Sequence, residues 1–388
     1  MRLSKRPPVY SLPSYSLTGD LLGFLRCGLQ YRYTKIGKLP ATRPLQAWFG
    51  SFIHGVLEEA YRRYLGIPGI QPPQAPPYAD DLMDEMCKLV DKRIAAQGLF
   101  PWSQDLEELG YRRAKAAVNE LGALLFPMIS KAEVRLTGAR PLPKDLILPQ
   151  YQTREADRYE VSGVVDVITH VELHDPELQN NQLLRLILQG IQRDVPDSFE
   201  VIIDYKGMRR PPKMVAENDL SFWDIYAWQT QTYAYLRGKQ QESLPVVAGV
   251  LIYLNELLPT RRDMLRLKKE IAEGTTDVLP EKWSWEDRVL NSWRSGQPVP
   301  DLPLEYRLKR AIRVVTVDPG SVQEALTKFD ETVARIEICR GKELEQGRLV
   351  DPWEKNASDE ETCSACDART FCPSYGKEKS PSLPVGRG

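Results

Sequence analysis

The sequence predicts an α/β fold, a central mixed sheet with helices on both faces, from three observations. Apolar residues recur at helical spacing through most of residues 48–130. From residue 131 the period shortens to β-branched runs bounded by turn residues. Helical periodicity then dominates again around one apolar strand at 246–254. With 388 residues and 42% hydrophobic content, the chain can bury a sizeable core. No repeat or break in composition divides it. A single domain is therefore expected over 1–375, with a small cap formed by residues 14–35 and 355–375.

Taken in order, residues 14–35 offer Ser16 or Thr18 as helix caps, and the apolar spacing that follows sets Cys27 near the end of a short helix. In 48–64, Phe52, Val56, Leu57, Ala60 and Tyr64 define an amphipathic helix, which stops before the proline-rich stretch 67–78. Residues 80–98 and 104–130 read as helices, the second broken near its end by Pro127. Strands are expected at 132–136, 158–161, 163–170 and 201–206, with an inserted helix within 176–193. A helix at 222–237, the strand at 246–254 and helices near 262–273, 283–294 and 320–345 complete the reading. The tail 376–388 is too polar and too rich in proline and glycine to pack, so it is expected to be disordered.

The net charge of −1, from 52 basic and 53 acidic residues, does not announce a nucleic-acid partner. Basic stripes at 206–213, 261–269 and 307–313 can still follow a phosphate backbone, although a solvated face explains the last two equally well. No run reaches the roughly 18 apolar residues of a membrane span, and the N-terminus lacks the apolar core of a secretory signal. A cytoplasmic location is expected.

Six cysteines are too few for a disulfide scaffold in a chain of this length. Cys87 and Cys339, among apolar neighbours in helical segments, read as core residues. Cys363, Cys366 and Cys372 form C-x2-C-x5-C, which fits a zinc knuckle or an iron–sulfur site. The distant Cys27 favours iron–sulfur. A centre holding all four would tie the two ends of the chain together.

The strand at 201–206 places Asp204 and Lys206 two positions apart, hence on one face of the sheet. A carboxylate there can hold a hard divalent cation while the ammonium beside it offsets negative charge. Alone, D-x-K reads as an exposed ion pair at a strand end. Asp166, flanked by Val164, Val165, Val167 and Ile168, is costly to bury without a partner or metal. Together with Asp204 and the Tyr205 carbonyl it makes the oxygen-rich site that magnesium or manganese prefers. His54 shares a helix face with Gly50 and Glu58, where an imidazole is either structural or a ligand suited to manganese. His170 and His174 read as surface residues. Gln229 and Tyr233, four apart on the next helix, are either a contact face for a phosphate or base, or part of an amphipathic core. No P-loop, G-x-G-x-x-G or G-x-S-x-G is present, which leaves an unrelated α/β enzyme without support.

Gly50-x3-His54-x3-Glu58, Gly163-x2-Asp166, Asp204-x-Lys206 and Gln229-x3-Tyr233, in this order, resemble the RecB-like branch of the PD-(D/E)XK nucleases. The flanking cysteines are similar to its iron–sulfur subset, the CRISPR-associated exonucleases and the nuclease domains of helicase–nuclease complexes. The resemblance spans about residues 20–375 and implies a restriction-endonuclease-like fold with an iron–sulfur cap. It implies that His54, Asp166 and Asp204 bind Mg2+ or Mn2+, that Lys206 orients or activates water, and that Gln229 and Tyr233 contact DNA. It implies a [4Fe–4S] cluster on Cys27, Cys363, Cys366 and Cys372, and a DNA exonuclease, with single-stranded DNA preferred, that leaves a 5′-phosphate and a 3′-hydroxyl. A helicase or CRISPR-associated protein is the implied partner, and a catalytically quiet DNA-binding subunit is the alternative. Three features depart from the pattern, one being a chain longer than the compact CRISPR-associated members. Asp204 stands where glutamate is more usual, and the interval from Asp166 to Asp204 exceeds a simple hairpin.

Overall fold

The computed structural model describes residues 12–39, 46–66, 72–213, 221–355, 363, 364 and 366–375; the expected tail 376–388 lies outside them. In chain order the elements are β1 (Ser14–Ser16), α1 (Leu22–Arg26), α2 (Gly28–Tyr31), α3 (Gln46–Leu65), α4 (Asp80–Ala95), α5 (Gln104–Leu125), β2 (Ile129–Pro141), β3 (Arg158–Thr169) and β4 (Val171–Glu172). Then follow α6 (Gln182–Ile191), β5 (Ser198–Lys206), α7 (Phe222–Gly238), β6 (Val246–Tyr253), α8 (Arg261–Glu273), α9 (Trp285–Ser292), α10 (Leu304–Ala311), β7 (Ile312–Thr316) and α11 (Pro319–Gln346). The chain divides into two compact units, Met1–Arg43, Thr137–Gly163 and Gln323–Gly388 in one, Pro44–Leu136 and Val164–Val322 in the other. No helix among the described residues is long and apolar enough to cross a membrane.

The first unit is assembled from three separate stretches. β1 pairs in parallel with the first half of β3, Tyr15 opposite Val161. Its interior is polar as well as aromatic. Arg32 donates to Glu343 from both Nε and Nη2, and Trp353 Nε1 donates to the same carboxylate at 2.7 Å. Arg154 donates to Glu337, whose other oxygen receives the Tyr15 hydroxyl. Each buried charge thus has a partner, which removes most of the cost of burial.

In the second unit a mixed sheet is flanked by helices. β3 runs antiparallel to β5 with Val167 opposite Ile203, β5 runs parallel to β6, and β7 closes the edge antiparallel to β6. Along β6 the side chains alternate. Ala248, Val250 and Ile252 join the large core with α3, α5 and α6, while Leu251 and Tyr253 face Tyr226 and Ala227 of α7. On the first face Trp48, Phe52 and Tyr111 stack at centroid distances of 5.0 and 5.1 Å, locking α3 to α5.

α7 starts where Ser221 accepts from the Asp224 amide, satisfying one of the helix's orphan N–H groups. Near its other end Arg237 makes a bidentate pair with Glu200 of β5, both hydrogen bonds 2.6 Å long and both side chains buried. Midway, Thr230 lies directly against Gly249 of β6, where any Cβ would fall inside van der Waals contact. These three restraints set the height of α7 above the sheet.

The helices at 48–64, 80–98 and 222–237 and the strands at 201–206 and 246–254 fall within about two residues of the observed elements, apart from α4, which ends at Ala95. The two strands expected at 158–161 and 163–170 form one, because Ser162 and Gly163 continue the extended chain. α10, β7 and β1 were not foreseen. The stripe 307–313 is not a phosphate track: Arg307 pairs with Glu120, Arg310 with Glu256, and Arg313 lies 3.7 Å over the Trp223 ring, all three buried. Buried guanidinium groups need such partners, so the charge is spent internally.

Gly249→Ala should push α7 off the sheet through Thr230. The expected cost is about 1–3 kcal/mol, read as a lowered urea midpoint with an unchanged slope. An unchanged midpoint would mean that the helix is not held at this contact.

Candidate active site

α3 brings His54 to the sheet because its buried neighbours Ile53, Val56 and Leu57 fix the helix against the core. The Nε2–H of His54 donates to the Tyr205 carbonyl at 3.1 Å. That bond leaves Nδ1 as a lone pair, 3.6 Å from Asp166 Oδ2. Asp166 Oδ2 in turn accepts the Tyr205 amide at 2.7 Å. The register that pairs Val167 with Ile203 would next set Asp166 opposite Asp204. There a side chain takes over from the backbone ladder.

A third side chain joins them. Glu133 on β2 has φ 51, a left-handed conformation uncommon for a side-chain-bearing residue. Ligand atoms of His54, Glu133 and Asp166 all lie within 4.8 Å of one another. With Glu58, Tyr61 and Tyr205 they line a narrow cleft. Sequence reasoning missed Glu133, and its only signal was an acid in a predicted strand that lacked the alternation of a half-buried one.

Asp204 and Lys206 occupy the same face of β5, as their spacing predicted, and form a direct ion pair. Lys206 Nζ also donates to Gln229 Oε1 at 3.0 Å and sits 4.2 Å from the centre of the Tyr226 ring. Gln229 Nε2 donates to the Tyr233 hydroxyl at 3.1 Å and reaches Asp204 Oδ1 at 3.5 Å. Gln229 and Tyr233 are both buried. Among the described residues Asp204 Oδ2 meets the ammonium but accepts no well-formed hydrogen bond. Two groups thus share one strand: imidazole and carboxylates around the Tyr205 backbone, and an acid–lysine–amide–phenol chain beside it. His170 and His174 are exposed and take no part.

The donor set fits a hard divalent cation. It offers one neutral imidazole nitrogen and two carboxylates within ligand range of each other, with a third carboxylate, Asp204, on the adjoining strand. Burial pushes the Asp166 carboxyl well above the usual carboxylate range, and the charge of Asp204 pushes it further. Burial also lowers the His54 pKa, the Asp204 charge opposing it, which favours the neutral, ligating imidazole. A cation would relieve the crowding of negative charge.

The first unit holds Cys27, Cys363, Cys366 and Cys372. Cys27 is the extended residue between α1 and α2, its Sγ 4.0 Å from the Glu354 carbonyl. The Cys366 amide donates to the Cys363 carbonyl, and the Cys372 amide to that of Arg369, so the triplet forms two consecutive turns. Burial raises the Cys366 pKa, its hydrogen bond with the Ala368 backbone lowers it, and the nearby thiols of Cys27 and Cys372 raise it again. Cys87 and Cys339 are buried core thiols, as expected.

An acid whose folded-state pKa exceeds its unfolded value binds extra protons when folded. Its contribution to stability is full below the unfolded pKa and lost as pH rises through the folded one. Asp166→Asn keeps an oxygen for the Tyr205 amide and deletes the buried charge. In chelator at neutral pH it should melt above the wild type, by about 2 °C or more per kcal/mol recovered, and this advantage should vanish as pH falls into the carboxylate range. Mg2+ or Mn2+ should raise the melting temperature of the wild type only. Equal melting curves with and without metal would refute the assignment.

No curated protein matches the chain. It is similar to the PD-(D/E)XK nuclease superfamily, whose family model matches residues 19–177, a span containing His54, Glu133 and Asp166 and ending before Asp204; the match points to a nuclease.

Proposed function

We propose that the protein is a metal-dependent DNA exonuclease that hydrolyses phosphodiester bonds, with single-stranded DNA as its preferred substrate. The observation that carries this reading is the Tyr205 backbone, whose carbonyl accepts from His54 and whose amide donates to Asp166, flanked on β5 by the Asp204–Lys206 pair. The superfamily match over residues 19–177 supports it.

His54, Asp166 and Asp204 would hold Mg2+ or Mn2+, with Glu133 beside them. Bound there, the ion would polarise the phosphodiester and lower the pKa of a water. The protein's own groups account for the rest. Asp166 is held in place by the Tyr205 amide, and Lys206 is aimed by Asp204 and Gln229. With Asp204 serving as a ligand, the Lys206 ammonium would be free to offset charge building on phosphorus and to orient the attacking water. Tyr233 holds the Gln229 amide and so keeps the lysine in register.

Cys27, Cys363, Cys366 and Cys372 would carry a [4Fe–4S] cluster with a structural role, since four thiolates leave no open position. The protein would act in the cytoplasm, in DNA repair, recombination or phage/CRISPR defence, beside a helicase or CRISPR-associated partner.

Asp204→Asn and Lys206→Ala should each lower cleavage of end-labelled single-stranded DNA by about 100-fold or more with the circular-dichroism spectrum of the folded wild type. EDTA should abolish cleavage and Mg2+ or Mn2+ restore it. Wild-type digestion by the Asp204 variant would remove the reading. Anaerobically purified protein should be brown, with iron and sulfide, and Cys27→Ala should lose colour, stability and DNA binding together. A colourless protein containing zinc would replace the cluster with a zinc site.

A further inference from the structure

α8 and α9 form a hairpin with its own small core, Met264, Leu267, Leu290, Trp293, Leu302 and Tyr306. Lys268 Nζ donates to the Trp293 carbonyl at 2.7 Å and so joins the two helices. The hairpin is bolted to the chain that leaves the candidate site. Arg209 pairs with Glu270, Arg210 with Asp277, and the Lys213 amide donates to the Thr275 carbonyl at 2.7 Å.

These bonds change its charge. Asp263, Glu270 and Asp277 are neutralised by Arg113, Arg209 and Arg210, none of which belongs to the hairpin. Its own Arg261, Arg262 and Arg266 stay exposed and, among the described residues, make no ion pair. Arg262, Arg266 and Lys269 are spaced four and three apart, so they form one row along α8.

Trp283 stands at the mouth of α9, 85% exposed, with φ 69. A left-handed backbone is costly for an aromatic residue, and here nothing apolar covers the ring in return. The conformation is fixed from both sides: the Trp283 amide donates to Asp287 Oδ2 at 3.0 Å, and the Ser284 amide to the Glu281 carbonyl. Ser284 then caps α9. Trp285 and Leu279 are exposed close by in sequence. An exposed indole on a fixed backbone, with cations along the neighbouring helix, is the combination that binds unpaired nucleic acid, a π-face for a base and a track for phosphates.

We propose that the α8–α9 hairpin docks single-stranded DNA, with Trp283 stacking on an unpaired base and Arg262, Arg266 and Lys269 following the backbone. The choice of DNA rests on the nuclease reading; the stacking surface does not.

The test is fluorescence anisotropy in EDTA with a labelled single strand of about 20 nucleotides, its duplex, and RNA of the same sequence. Trp283→Ala should weaken single-strand binding about tenfold, Trp283→Phe less, and both should leave duplex binding nearly unchanged. Arg262→Glu with Arg266→Glu should weaken binding further and flatten its dependence on salt. All sit on the surface, so melting curves should match the wild type. Wild-type affinity in both the Trp283→Ala and the charge-reversed variants overturns the proposal, as does equal loss on duplex and single strand for Trp283→Ala. Tighter, Trp283-dependent binding of RNA overturns the choice of DNA. Trp283-dependent DNA binding by a wild-type protein that never cleaves supports the docking surface and defeats the nuclease reading instead.

Discussion

The candidate site depends on the backbone of one residue. The Tyr205 amide is captured by Asp166 and its carbonyl by His54, so a helix and two strands meet at a single residue. Ordinary strand pairing would have spent both groups on a neighbouring backbone and left the acid and the imidazole to find other partners. Where the β3–β5 ladder ends, the sheet instead exposes two directed polar groups that orient side chains. The Tyr205 ring, buried on the opposite face from Asp204 and Lys206, anchors that backbone in the core.

The strain here is electrostatic, and the scaffold absorbs it. Asp166 and Asp204 are both largely buried, and the first resists ionisation. Such an arrangement persists only if its surroundings are rigid. Arg237–Glu200, the Gly249–Thr230 contact and the Glu256 carboxylate supply that rigidity. Glu256 holds Arg310 through both oxygens and also accepts the Arg210 amide. Buried pairs of this kind contribute little net stability, yet losing one partner is expensive.

Much of this was legible in the sequence because period is a strong signal. α3 showed its buried face through Phe52, Val56, Leu57 and Ala60, and the two-residue spacing of Asp204 and Lys206 put them together without knowledge of the fold. What stayed hidden involved residues whose surroundings come from elsewhere in the chain. Arg307, Arg310 and Arg313 look like a solvated stripe until Glu120, Glu256 and Trp223 arrive to cover them, and this masked α10 and β7. Glu133 was hidden because its backbone conformation, not its position in a pattern, aims the carboxylate. Gln229 and Tyr233 proved to be neither a simple core face nor an open contact face; they are buried and connected by hydrogen bonds to the lysine.

The cysteine-bearing unit is drawn from three stretches of chain, and its central ion pair joins Arg32 to Glu343. During synthesis the N-terminal stretch must wait for the last one to leave the ribosome before it can close around anything. Cys27 spends that interval as a thiol open to oxidation. A premature stop near residue 320 would leave β5, β6 and β7 complete while Arg32 lost the Glu343 carboxylate it closes on.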